Sequence, residues 1–147
     1  DKVLTKAKPF KGAIELINFC INTKLPIALV TSSSSESFKI KSSVNPWLNL
    51  FETKILGDDE FISAGKPAPD PYLRALKILA VDPYKTWVIE DSYAGSVSGL
   101  KAECNLLFFS KDLEILNKLI NEFSNEKIQK INELSEIMYY LKLYKGF

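Results

Sequence analysis

The stretch TWVIEDSYAGSVSGLKAE, residues 86–103, decides how this chain folds. Its apolar run Trp87-Val88-Ile89 is short, bounded and β-rich, which predicts a buried strand. The run ends in two adjacent carboxylates, Glu90 and Asp91, and a helix-like stretch follows. Acids in that position sit in the crevice outside the carboxyl edge of an open α/β sheet, where ligands bind. Burying both without compensation would be costly. A hard cation removes the difficulty, because Mg²⁺ prefers oxygen and commonly takes one or two carboxylates plus water and phosphate. A plain strand cap at a loop explains the same two residues. From this stretch alone both readings stand.

Outward from that stretch, strands and helices alternate. Residues 11–23 carry Ile14, Ile17, Phe19, Cys20 and Ile21 near helical spacing, and Pro26 stops the helix. Ile27–Val30 reads as a buried strand ending in Thr31 and four serines, Ser32 to Ser35. A hydroxyl-rich turn between strand and helix offers donors to an anion. Serine and threonine are also ordinary helix caps, which is their commoner use. Residues 35–43 predict a helix, residues 45–51 a loop or short helical turn, and residues 53–56 a strand. Gly65-Lys66-Pro67-Ala68-Pro69-Asp70-Pro71 follows, an extended support with Asp70 as N-cap and Pro71 at the first helical position. Tyr72, Leu73, Leu76, Leu79 and Ala80 then line one helix face. Beyond the central stretch, residues 106–109 predict a strand and residues 111–122 a helix capped by Ser110. A last strand at 127–131 and a closing helix at 135–144, ended by Lys145 and Gly146, complete the chain. Such alternation predicts a mostly parallel sheet covered on both faces. Residues 1–9 read as a linker, and residues 10–147 as one core region.

Composition narrows the chemistry. The 147 residues suit one domain, and 46% apolar content is enough for a core. Nineteen basic residues balance 18 acidic ones, which gives no reason to expect nucleic acid or an acidic membrane as partner. Arg74 is the single arginine, so arginine clusters for bidentate phosphate recognition are excluded. Histidine is absent, which removes Ser-His-Asp and Cys-His catalysis and His-ligated zinc. Cys20 and Cys104 read as lone buried thiols and fit a reducing, cytoplasmic setting. No apolar run approaches the roughly 20 residues of a membrane span.

The segments PFKGAIELINFCINTKLPIALVTSS, GKPAPDPYL and VIEDSYAGSVSGLKAE, in this order, resemble the haloacid dehalogenase-like hydrolases, in their phosphatase and β-phosphoglucomutase-like branch. The resemblance runs from about residue 9 to 109. It implies a three-layer, Rossmann-like parallel sheet with helices on both faces. It also implies roles. Thr31 matches the hydroxyl residue that hydrogen-bonds the transferring phosphoryl group, helped by the Ser32 N–H. Lys66 matches the lysine that neutralises phosphate and nucleophile charge. Glu90 and Asp91 match the acidic pair that binds or supports Mg²⁺. A hydroxyl, a lysine and a divalent cation are the parts phosphoryl transfer needs, since it depends on positioning and charge neutralisation.

One departure is large. The family's first motif, Asp-x-Asp-Gly-Thr, which carries the aspartyl nucleophile and the general acid/base, has no match in the 30 residues before Thr31. The chain is therefore expected to be the C-terminal core portion of a longer protein, without the first-motif strand and the cap domain. The expected function is Mg²⁺-dependent phosphatase action on a small phosphorylated metabolite such as a sugar phosphate, once the nucleophile-bearing segment is present, with this chain alone inactive. A phosphosugar mutase and a non-catalytic phosphate- or partner-binding paralogue are the alternatives. The substrate and the oligomeric state are not legible in the sequence.

Overall fold

The computed structural model describes residues 8–145, so most of the predicted linker, and Gly146, lie outside it. The elements run α1 (Ala13–Asn22), β1 (Ala28–Val30), α2 (Ser35–Val44), β2 (Thr53–Ile55), α3 (Asp70–Leu79), β3 (Trp87–Glu90), α4 (Tyr93–Lys101), β4 (Asn105–Phe108), α5 (Leu113–Glu122), β5 (Ile128–Lys130) and α6 (Ser135–Lys145). Every strand pairing is parallel, and strands alternate with helices, so the fold is α/β as predicted. Two compact units form. One comprises the residues up to Asp58 with those from Glu133 onward; the other is Asp59–Asn132.

In the first unit β1 pairs with β2, Ala28 opposite Thr53 and Val30 opposite Ile55. Leu16, Ile17 and Cys20 of α1, Phe38 of α2, Ile55 of β2 and Ile137 of α6 form its core. Ile21, predicted on the buried face of α1, is instead exposed, and Leu16 takes its place. Positions 16, 17 and 20 centre the buried face, and Ile21, one turn beyond Ile17, lies at its margin and faces solvent.

In the second unit the strand order is β3-β4-β5, with Trp87 opposite Asn105 and Leu106 opposite Ile128. The core centres on Leu106 and Phe108 of β4, Leu119 of α5 and Ile131, all at most 1% exposed. The side chain of Val88 faces α4, where a Cβ on Gly99 would stand 2.4 Å from its Cγ2. On the opposite face of β3, Trp87 and Ile89 are 47% and 42% exposed. The expectation of a strand buried on both faces thus holds on one face only. Among the described residues β3 is an edge strand, with β4 on one side.

Four local predictions are corrected. Pro69 and not Asp70 occupies the N-cap position of α3, with no side-chain cap, and the Asp70 carboxylate turns back to accept from the Ser63 and Ala64 N–H groups at 3.0 and 3.2 Å. Residues 65–68 form a turn, closed by the Ala68 N–H on the Gly65 carbonyl at 3.0 Å, where an extended support was expected. Asp112 caps α5, accepting from Glu114 and Ile115 N–H groups at 3.1 Å; Ser110 accepts from the Asp112 N–H just before it. The helix begins at Leu113, later than predicted, so the cap position falls on Asp112, whose carboxylate reaches two N–H groups of the first turn. The buried face of α3 is Pro71, Tyr72, Ala75 and Leu76, while Leu73 is 49% exposed.

Candidate functional site

The Thr31–Ser35 turn follows β1 in the first unit. The Thr31 N–H continues the sheet onto the Ile55 carbonyl at 3.0 Å, and its hydroxyl oxygen accepts from the Ser33 N–H at 3.2 Å. The turn is pressed against Gly57. A Cβ there would lie 2.2 Å from the Ser32 carbonyl oxygen, so only glycine fits. The Gly57 N–H donates to the Ser33 carbonyl at 2.7 Å.

The other hydroxyls of the run are engaged internally. Ser34 caps α2, accepting from the Ser37 N–H at 3.2 Å. Ser35 donates from both N–H and hydroxyl to Asp58 Oδ1, at 2.9 and 2.8 Å. Those bonds, the backbone one foremost, hold the Asp58 carboxyl below its ordinary range. The Lys41 ammonium donates to the Ser33 hydroxyl at 2.7 Å. Ser32 is exposed, and alone among the four its hydroxyl is bonded to nothing among the described residues. The turn therefore leaves the Ser32 hydroxyl uncommitted, while the Thr31 oxygen and the remaining serine hydroxyls take part in bonds within the protein.

Lys66, Glu90 and Asp91 lie in the second unit. The Lys66 ammonium donates to Glu90 Oε1 in an ion pair whose side chains are 12% and 9% exposed. Elements far apart in sequence make that contact. Lys66 sits in the turn before α3, and the Ser98 hydroxyl of α4 fixes the turn by donating to the Ala68 carbonyl at 2.6 Å. Glu90 ends β3 and lies against the first turn of α4, where a Cβ on Gly95 would be 2.0 Å from its Oε2. An ion pair this sheltered is held by geometry: removing one partner would leave an uncompensated charge.

Sequence reasoning missed Tyr72, assigned only to the apolar face of α3. Its hydroxyl also donates to Glu90 Oε1, and the Lys66 ammonium stands 5.2 Å from its ring centroid. Burial foremost, then the Glu90 charge, push this hydroxyl up from its ordinary value, so it remains a donor. The signal was present: a tyrosine on a buried helix face needs a partner for its hydroxyl.

Asp91, one residue on, is exposed and pairs with nothing among the described residues. No three His, Cys, Asp or Glu side chains group to hold a metal ion among the described residues. One open carboxylate beside an engaged one still fits Mg²⁺, which takes one or two carboxylates and fills its shell with water and phosphate oxygens. Arg74 is used structurally, stacking 4.2 Å from the Phe61 ring centroid and pairing with Asp59 at 3.6 Å.

Comparison with known proteins gives this geometry a family. The family model described as haloacid dehalogenase-like hydrolase matches residues 1–109. The chain is 35% identical over 130 residues to a bifunctional riboflavin kinase/FMN phosphatase of Arabidopsis thaliana, spanning 80% of this chain and 34% of that protein. It is 32% identical over 96 residues to hexitol phosphatase A of Escherichia coli, 65% of this chain and 43% of that protein. The chain thus spans less than half the length of these curated relatives. Among solved structures, a putative β-phosphoglucomutase from Thermotoga maritima superposes with a TM-score of 0.74 at 24% identity, covering 90% of this chain and 59% of that one, which shows the shared fold. The chain belongs to the haloacid dehalogenase-like hydrolases.

Proposed function

We propose that the complete protein is an Mg²⁺-dependent phosphatase acting on a small phosphorylated metabolite such as a sugar phosphate. The observation that carries this is the sheltered Lys66–Glu90 pair next to an open Asp91. A cation held at a fixed place beside an uncommitted carboxylate is what positions and neutralises a phosphoryl group. In this reading Lys66 offsets phosphoryl charge, and the family resemblance assigns phosphoryl binding to the Thr31 hydroxyl and the Ser32 N–H. Asp91, with the Glu90 oxygen not bonded to Lys66, would hold Mg²⁺. Bound there, the ion would neutralise charge developing on the phosphoryl oxygens. The nucleophilic aspartate and the general acid/base come from an upstream segment. Phosphatase names among the relatives support the reaction class.

The serine turn favours hydrolysis over a mutase. A mutase must also hold a second phosphate, and Ser33, Ser34 and Ser35 are engaged within the protein. The test is phosphate release from a panel of phosphorylated metabolites by the complete protein with Mg²⁺. Turnover lost in Lys66→Ala and Asp91→Asn is expected. An upstream sequence without the Asp-x-Asp pair would favour the non-catalytic paralogue instead.

A further inference from the structure

Tyr72 is only 8% exposed, and its hydroxyl reaches the same Glu90 oxygen that takes the Lys66 ammonium. Phenylalanine would fill this site equally well by packing, and burying a hydroxyl is unfavourable unless it is bonded. A carboxylate oxygen has two acceptor positions, and here Tyr72 and Lys66 occupy both. The last torsion of a glutamate is broad and soft. At Glu90 it is limited on one side by α4 at Gly95 and set on the other by Tyr72.

We propose that Tyr72 is a positioning residue, which fixes the Glu90 carboxylate and, through it, the place of the Lys66 ammonium. Its consequence for catalysis rests on the phosphoryl-transfer reading of Lys66 given above; the geometric part does not. Tyr72→Phe keeps the ring, its packing on α3 and its face toward Lys66, and removes the hydroxyl alone.

The test has two readouts on the complete protein. The first needs no turnover. Acetylation of lysines by an N-hydroxysuccinimide ester is followed by peptide mass spectrometry, with the exposed Lys39 and Lys101 as internal references. Lys66 should react more slowly than both in the wild type. Tyr72→Phe should raise the Lys66 rate several-fold and leave the references unchanged. The second readout is steady-state kinetics. Tyr72→Phe should lower kcat by about tenfold with KM within about twofold, as misplacement of a positioned group does. Placed on Glu90→Gln, it should have no further effect, since the two act as one unit. A wild-type Lys66 acetylation rate in Tyr72→Phe, or a loss of kcat that persists undiminished on Glu90→Gln, would overturn the proposal. If the wild type releases no phosphate from any ester, the phosphoryl-transfer reading fails, and the acetylation rates still decide the role of Tyr72.

Discussion

At the scale of single residues, two glycines separate a structural requirement from a functional one. Both leave no room for a Cβ, but against different neighbours. At Gly57 the neighbour is the Ser32 backbone, which cannot move without shifting the turn. Gly57→Ala should therefore destabilise the protein by about 1–3 kcal/mol, measured by urea unfolding. At Gly95 the neighbour is the end of the Glu90 side chain. Gly95→Ala should fold with a smaller loss of stability and displace Glu90, so the Lys66 acetylation rate should rise as in Tyr72→Phe. An equal loss of stability in both variants would contradict this distinction. Cys104 is inert for a related reason. Burial pushes its thiol up to about 11, only partly offset by Lys127, so it should resist thiol reagents at pH 8 until the protein unfolds. At this scale Glu90 and Asp91 stood out as paired acids after an apolar run, whereas Thr31 and Lys66 were singled out by the family resemblance, a hydroxyl at a turn and a lone lysine being ordinary on their own. Tyr72 was not, because a helix-face pattern counts a tyrosine as apolar and ignores its hydroxyl.

At the scale of elements, the strands and helices were legible from periodicity and punctuation, and their ends were not. Asp70 and Ser110 each looked like a cap, but local competition decided otherwise. Asp70 satisfies the N–H groups of the preceding loop, and Asp112 takes the α5 terminus. Asp112→Ala should cost about 1 kcal/mol in unfolding free energy, whereas Ser110→Ala should cost less. The start of α2 gives a pH test. Asp58 titrates lower in the folded protein than its ordinary value near 3.9, because Ser35 donates to it. Its contribution to stability is therefore fully present above that value and lost as pH falls through the folded one. Asp58→Asn should be less stable than the wild type at pH 7, and the gap should close below about pH 4. A gap independent of pH would mean that the carboxylate charge plays no part.

At the scale of the whole molecule, each unit shows an open strand edge. Among the described residues β1 pairs with β2 alone and β3 with β4 alone, and β3 leaves Trp87 and Ile89 uncovered. Parallel strands are normally buried on both faces, and unpaired edges invite association. The family resemblance, which expects a first-motif strand that this chain lacks, anticipates such edges; periodicity alone does not, because an apolar β-rich run signals burial wherever the covering segment lies. In the proposed reading an upstream segment bearing the nucleophile would cover such an edge. The most direct measurement is phosphate release with Mg²⁺ by three samples: the complete protein, the complete protein carrying Lys66→Ala, and this 147-residue chain alone. The account predicts turnover by the first and none above background by the other two. Robust Mg²⁺-dependent turnover by the 147-residue chain, or full activity in Lys66→Ala, would contradict it.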